Sequence, residues 1–325
     1  MTWVTWRQYR YQGALAAALF AALAVLLLIS GLHAALVWHS ALTSCTKDAT
    51  CAGLAGSPLS LANPTVAALV VCTSAVPLLP GLFWGAPMVA NELETGTNQF
   101  AWTQSITRRR WLAVRTGWLL LAAAVLAGAV SALVTWWSGP DNALQADAFQ
   151  VNRFDITAIV PVGYAIFAMA LGICAGTLLR RTLPALAITL VGFVGLRALI
   201  ALWLRLHYLT PVTAYYKLTT QFAPAGSYLG VSQGMIGPHA KPEPAGFYGT
   251  VVNGLPVPAA CQNVMGGSGP GRVMSCMASH GYRGYITYQP ANRFWTFQGI
   301  ETGIFLVLAA VLLGVTFRVL ERRDA

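Results

Sequence analysis

Six apolar runs dominate the chain, from Ala14 to Trp38, Thr65 to Val89, Leu112 to Trp137, Ile156 to Leu179, Leu183 to Leu206 and Phe297 to Leu320. Each is long enough to cross a hydrocarbon core as a helix, which takes about 20 residues. In lipid every backbone polar group must be satisfied within the protein, so runs of this length fold as helices. Only 9% of residues are charged, against roughly 25% in a soluble domain, which excludes a soluble helical core as the explanation. The reading is an all-α polytopic membrane protein with six transmembrane helices. The first run is too long, and too poor in a small-residue cleavage site, for a removable signal peptide.

Basic residues set the expected orientation, because short cytoplasmic segments retain positive charge. Arg7 and Arg10 precede the first run, Arg108, Arg109, Arg110 and Arg115 follow the second, Arg180 and Arg181 follow the fourth, and Arg318, Arg322 and Arg323 close the sixth. The alternate loops hold only Lys47 and Arg153, so both termini are expected in the cytoplasm. This anchoring accounts for most of the net charge of +10, and no aromatic-plus-basic module accompanies it, so nucleic acid is excluded as a partner.

Four of the six cysteines fall on the side assigned as outer, in two pairs. Disulfides Cys45–Cys51 and Cys261–Cys276 are the expected arrangement in an oxidising compartment. Separate thiols or a metal site are the competing arrangements, and the five histidines show no zinc spacing. The segment from His207 to Arg293 is rich in glycine and proline, with strand-like pieces at Tyr248 to Val252 and Tyr285 to Tyr288. It is expected to form a loop-rich, disulfide-pinned extracellular cap with little helix. Gly266 to Gly271 lacks the following Gly-Lys-Ser/Thr of a phosphate loop and is read as a turn cluster. The expected organisation is a single transmembrane domain over 1–325: a connecting helix and spans one to five in 1–206, the cap in 207–296, and span six with its tail in 297–325.

Between the second and third runs lies a polar segment, Asn91 through Trp111, with two carboxylates, a glycine and three consecutive arginines. A plain connection needs far less. The run Glu92-Leu93-Glu94-Thr95-Gly96-Thr97-Asn98-Gln99-Phe100-Ala101-Trp102-Thr103-Gln104-Ser105-Ile106-Thr107-Arg108-Arg109-Arg110-Trp111 resembles the corresponding segment of actinobacterial type-2 ABC exporter permeases. So do the N-terminal Met1 to Arg10 and Gln289 to Gln298 before the last run, and the likeness in topology covers the whole chain. The resemblance implies a permease working as two copies with two copies of a separate ATP-binding subunit. ATP and Mg would bind on that partner, and no cofactor on this chain.

It further implies an ATPase-coupling helix at the cytoplasmic face. Glu92, Glu94, Gly96, Thr97, Gln104 and Arg108 are the residues expected to transmit motion there. Trp3, Trp6, Arg7 and Arg10 suit an amphipathic connecting helix lying in the interface, and each also suits plain interfacial anchoring. The chain has no Walker-type phosphate loop, acid pair or serine–histidine arrangement, so it is expected not to be an enzyme by itself.

Pro77, Pro80 and Gly81 interrupt the second run, which either lines a pathway as a kinked helix or kinks for packing. Arg197, Arg205 and Glu301 sit within the spans, where charge is expensive. Arg197 lies about 24 Å along the helix from Arg181, which places it and Glu301 in the outer half. Two arrangements stay open: Arg197 pairs directly with Glu301 and helps close an outer gate, or Arg197 and Arg205 snorkel to outer headgroups while Glu301 is interfacial. The runs offer few polar groups to a polar solute, and Lys217, Lys241, Arg272, Arg283 and Arg293 outweigh Glu243 in the cap. An amphipathic or hydrophobic cargo (a drug, antibiotic, lipid or peptide) moved outward is the expected function. A membrane sensor or immunity protein that binds a ligand through its cap is the alternative.

Overall fold

In the computed structural model of the protein, the residues described are 14, 17–36, 63–95, 108–139, 149, 151–218, 224, 228–237, 243–244, 247–248, 251–252, 255–256, 261 and 270–322. Six helices are long and apolar enough to span a membrane: Ala17–Leu36, Pro64–Asn91, Leu112–Trp137, Val160–Leu179, Thr182–His207 and Ala291–Arg322, here spans one to six. The all-α polytopic architecture read from the sequence is the one observed. By Cα proximity the chain divides into a unit holding the spans and a second unit, Ala146–Gln150 with Leu206–Phe294.

Span four is the axis of the first unit. Of its most apolar window 72% is buried, against 17–44% for the other five. Its residues explain this, because Gly163, Gly172 and Gly176 alternate with alanines and let neighbouring backbones close in. A side chain at Gly172 would meet the carbonyl oxygen of Gly81 at 2.4 Å, and one at Gly176 the carbonyl of Ala86 at 2.6 Å. On its other sides span four packs with spans three and six through Leu119, Ala123, Ala165, Met169, Ile173 and Leu320. Spans one to three share a separate cluster around Leu27, Val70, Val134 and Trp137, where the Trp137 indole donates to Ser30 Oγ at 3.0 Å.

Spans two and five are each interrupted by a π turn. In span two the α-helix Pro64–Ala75 gives way to a 3₁₀ turn, Val76–Leu78, then to a π turn, Gly81–Gly85, before α-helix resumes at Ala86. Pro77 and Pro80 lack the N–H an α-helix would use there. Pro77, Pro80 and Gly81 are all buried, and Gly81 lies against Ala168 of span four. Span five carries a π turn at Ile200–Leu204, closed by the Arg205 N–H on the Ile200 carbonyl. Span four starts at Val160 rather than Ile156. The intervening turn is pinned to span three: Ser131 Oγ donates to the Ala158 carbonyl, and the Ala158 N–H donates to Thr135 Oγ1.

The second unit is more ordered than a loop-rich cap. β1 (Val212–Lys217), β2 (Leu229–Ile236), β3 (Glu243–Pro244) and β7 (Arg283–Gln289) form an antiparallel sheet in the order β1-β7-β2-β3. The piece read as one strand from Tyr248 to Val252 is a hairpin, β4 (Phe247–Tyr248) with β5 (Val251–Val252), extended by β6 (Leu255–Pro256). Pro270 and Gly271, read as part of a turn cluster, instead open the helix Pro270–Ser279; proline is favoured at a first helical position, where its missing N–H costs nothing.

Gly281, just past the end of that helix, has a φ of 86° that suits glycine, with Tyr282 N–H on the Met277 carbonyl and Gly281 N–H on that of Ala278. Met235, Val273 and Met277 pack around the disulfide Cys261–Cys276. Replacing both cysteines by serine is expected to destabilise this unit by about 3 kcal/mol, the scale for a closed loop of this length. Faster hydrogen exchange over 270–289 with unchanged exchange in span four would show it; unchanged exchange in both would refute it. Cys45 and Cys51 lie outside the described residues.

Candidate functional site: a buried ion-pair network

Four charged side chains meet inside the span bundle. Arg205 and Glu301 are fully buried, Asp155 is 3% exposed and Arg197 18% exposed. Arg205 holds Glu301 in a forked pair, Nε to Oε2 at 3.0 Å and Nη2 to Oε1 at 2.7 Å. Its Nη2 also donates to Asp155 Oδ1. The other Asp155 oxygen accepts from Arg197 Nε at 3.0 Å, and Arg197 Nη1 donates to the Ser74 carbonyl at 2.8 Å. Tyr164 donates its hydroxyl to Glu301 Oε1. Two cations and two anions therefore neutralise one another, the condition under which charges persist at such depth.

Each partner arrives from a different element. Asp155 follows the short helix Val151–Phe154, Tyr164 lies on span four, the arginines on span five and Glu301 on span six, while Ser74 belongs to the last turn of the first α-helix of span two, Pro64–Ala75. The Ser74 carbonyl lies just before the break at Pro77, among those a helix end leaves without an α-helical partner. Phe154 lies under the Arg205 guanidinium at 4.3 Å and Tyr164 under that of Arg197 at 5.1 Å. Below the ions Tyr164, Phe167, Phe193 and Phe305 form an aromatic layer with ring centroids 4.6–6.4 Å apart.

Gln298, one helical turn before Glu301, completes the site. Its Oε1 accepts from the N–H groups of Ile159 and Val160, donors at the start of span four, and its Nε2 donates to the Phe154 carbonyl. Span six thereby caps span four and holds the segment that presents Asp155.

The expected pairing is corrected in one respect. Arg197 and Glu301 do belong to one network, but Arg197 takes Asp155 and Glu301 takes Arg205. Arg205 does not snorkel to headgroups. Sequence reasoning passed over Asp155, Tyr164 and Gln298; the one available signal was an acid abutting an apolar run in a chain with only ten Asp and Glu.

Of the coupling residues, Glu92 and Glu94 fall in the helix Ala86–Thr95, and Arg108 is the first residue of the helix Arg108–Trp137. Gly96, Thr97 and Gln104 lie outside the described residues, as do Trp3, Trp6, Arg7 and Arg10.

Six spans around an ion-paired interior define a multi-pass membrane protein. Residues 17–205 match the family described as ABC-2 membrane transporter related, and with more than half of its length matched the chain belongs to that family. Membership makes it a permease-type membrane subunit and implies partnership with an ATP-binding subunit. No curated protein and no solved structure matches the chain.

Proposed function

We propose that the chain is the permease of an ATP-driven exporter that moves an amphipathic or hydrophobic cargo outward by alternating access. The family match across spans one to five carries this reading. Two copies of the chain associate with two copies of the ATP-binding subunit, which holds ATP and Mg. Both termini lie in the cytoplasm, so the segment from Glu92 to Arg110 faces the ATPase and transmits its closure to spans two and three. On this topology the residues between spans five and six are extracellular, which suits their disulfide. The ion-pair network then lies toward the outer side, where it joins spans two, four, five and six.

The reading is tested by purifying the tagged protein from its native membrane. A stoichiometric ATP-binding subunit should accompany it, with ATPase activity that falls at least tenfold in Glu94→Ala or Gly96→Val. A chain that purifies alone, without ATPase activity, and whose residues 207–296 bind a ligand tightly would overturn the exporter reading in favour of a membrane sensor.

A further inference from the structure

Arg197 and Arg205 are eight positions apart. In an uninterrupted α-helix, at 3.6 residues per turn, eight positions leave two side chains about 80° apart in azimuth. Both nevertheless reach the same carboxylate, Asp155, one to each oxygen. The intervening π turn explains how. Its closing bond runs from Arg205 N–H to the Ile200 carbonyl, five residues back, which inserts one extra residue into the α-helical repeat. The effective spacing becomes seven positions, about 20° short of two full turns.

We infer that the π turn Ile200–Leu204 is a two-position register element: as a π turn it places Arg205 in the network, and when it resolves to α-helix it turns Arg205 away and opens the network. The inference rests on the transporter reading for its consequence, but its structural basis is independent of it. A resolved turn keeps Arg197 on Asp155 while Arg205, and everything after it in span five, rotates by about one residue's worth of azimuth, roughly 100°. Glu301 then loses its forked partner and Asp155 one of two.

Two further observations fit a movable element. Little protein among the described residues covers the outer face of the turn, where Leu202 is 74% and Trp203 60% exposed. Nη1 of Arg205 has no hydrogen-bond partner among the described residues, so the π-turn register leaves the network short of complete satisfaction, and an incompletely satisfied buried network is costly to hold.

Deleting Leu202 separates a switch from a fixed spacer. The deletion removes the inserted residue, so a plain α-helix sets Arg197 and Arg205 seven positions apart with both still aimed at Asp155. A fixed spacer predicts full activity. A switch predicts a folded complex, locked, whose ATPase activity falls at least tenfold; activity within twofold of wild type overturns the inference.

A second measurement covers a deletion variant that fails to assemble. Spin labels at Leu190→Cys and Trp203→Cys, in a Cys45→Ser, Cys51→Ser, Cys72→Ser, Cys174→Ala background, report the two registers as separate distance populations. Read on the full-length chain alone and in the complex with and without ATP, two populations whose ratio moves with ATP support the switch. One unchanged population in every condition overturns it. A wild-type complex without ATPase activity defeats the exporter reading instead, while the labels on the chain alone still decide the register element by whether one or two populations are present.

Discussion

Glu301→Ala is expected to destabilise the span bundle by about 3–5 kcal/mol, the cost of breaking a buried pair by removing one partner. Arg205 is fully buried and has two carboxylate partners, Glu301 in a forked pair and Asp155 through a single nitrogen. Without Glu301 two of the three bonds from that guanidinium to carboxylates vanish, and the cluster passes from neutral to one net positive charge. The Tyr164 hydroxyl loses its acceptor as well. Glu301→Gln keeps the shape and one acceptor oxygen, so its loss is smaller.

Removing both charges together, as Arg205→Met with Glu301→Leu, should cost less than the sum of the single changes, because no uncompensated ion remains. Unfolding of the purified protein in a mild detergent gives all four corners of this cycle. An alanine variant as stable as wild type, or additive single effects, would show that the ions do not depend on one another.

The spans were legible because apolar length is a one-dimensional signal that lipid enforces directly. The cost of burying charge likewise pointed to Arg197 and Glu301 before any geometry was known. Their partners were not legible, and the reason is local. Positions along a span convert to azimuth only if the helix is uninterrupted, and the π turn at Ile200–Leu204 breaks that conversion between the two arginines. Asp155 sits on a turn outside the apolar run, pinned by side chains from spans three and six that are distant in sequence.

In the second unit β7 lies between β1 and β2 although it follows β2 by nearly fifty residues. Such a pairing leaves no short-range hairpin signal, so only isolated strand-like pieces could be recognised. The helix Pro270–Ser279 was hidden because its proline and glycine, which usually mark turns, stand at its first turn, where proline is tolerated.

The prolines and glycines of span two admitted two readings, and the same residues define the second large effect. Gly172→Val is expected to prevent spans two and four from closing. A Cβ there would lie 2.4 Å from the Gly81 carbonyl oxygen and 2.8 Å from the Ala86 nitrogen, both backbone atoms of span two. Overpacking against side chains costs about 1–3 kcal/mol because rotamers can give way. Backbone atoms in a π turn bounded by Pro80 and Pro87 have no rotamers, so the helices must separate and the loss should exceed that range.

Gly195, also in a span but with nothing within 4 Å of a built Cβ, supplies the control: alanine there should leave stability unchanged or raise it by about 0.5–1 kcal/mol through helix propensity. Thermal unfolding of both variants in one detergent decides the matter. If Gly172→Val unfolds at the wild-type temperature, the seam between spans two and four yields easily, and the breaks at Pro77 and Gly81 serve movement rather than close packing.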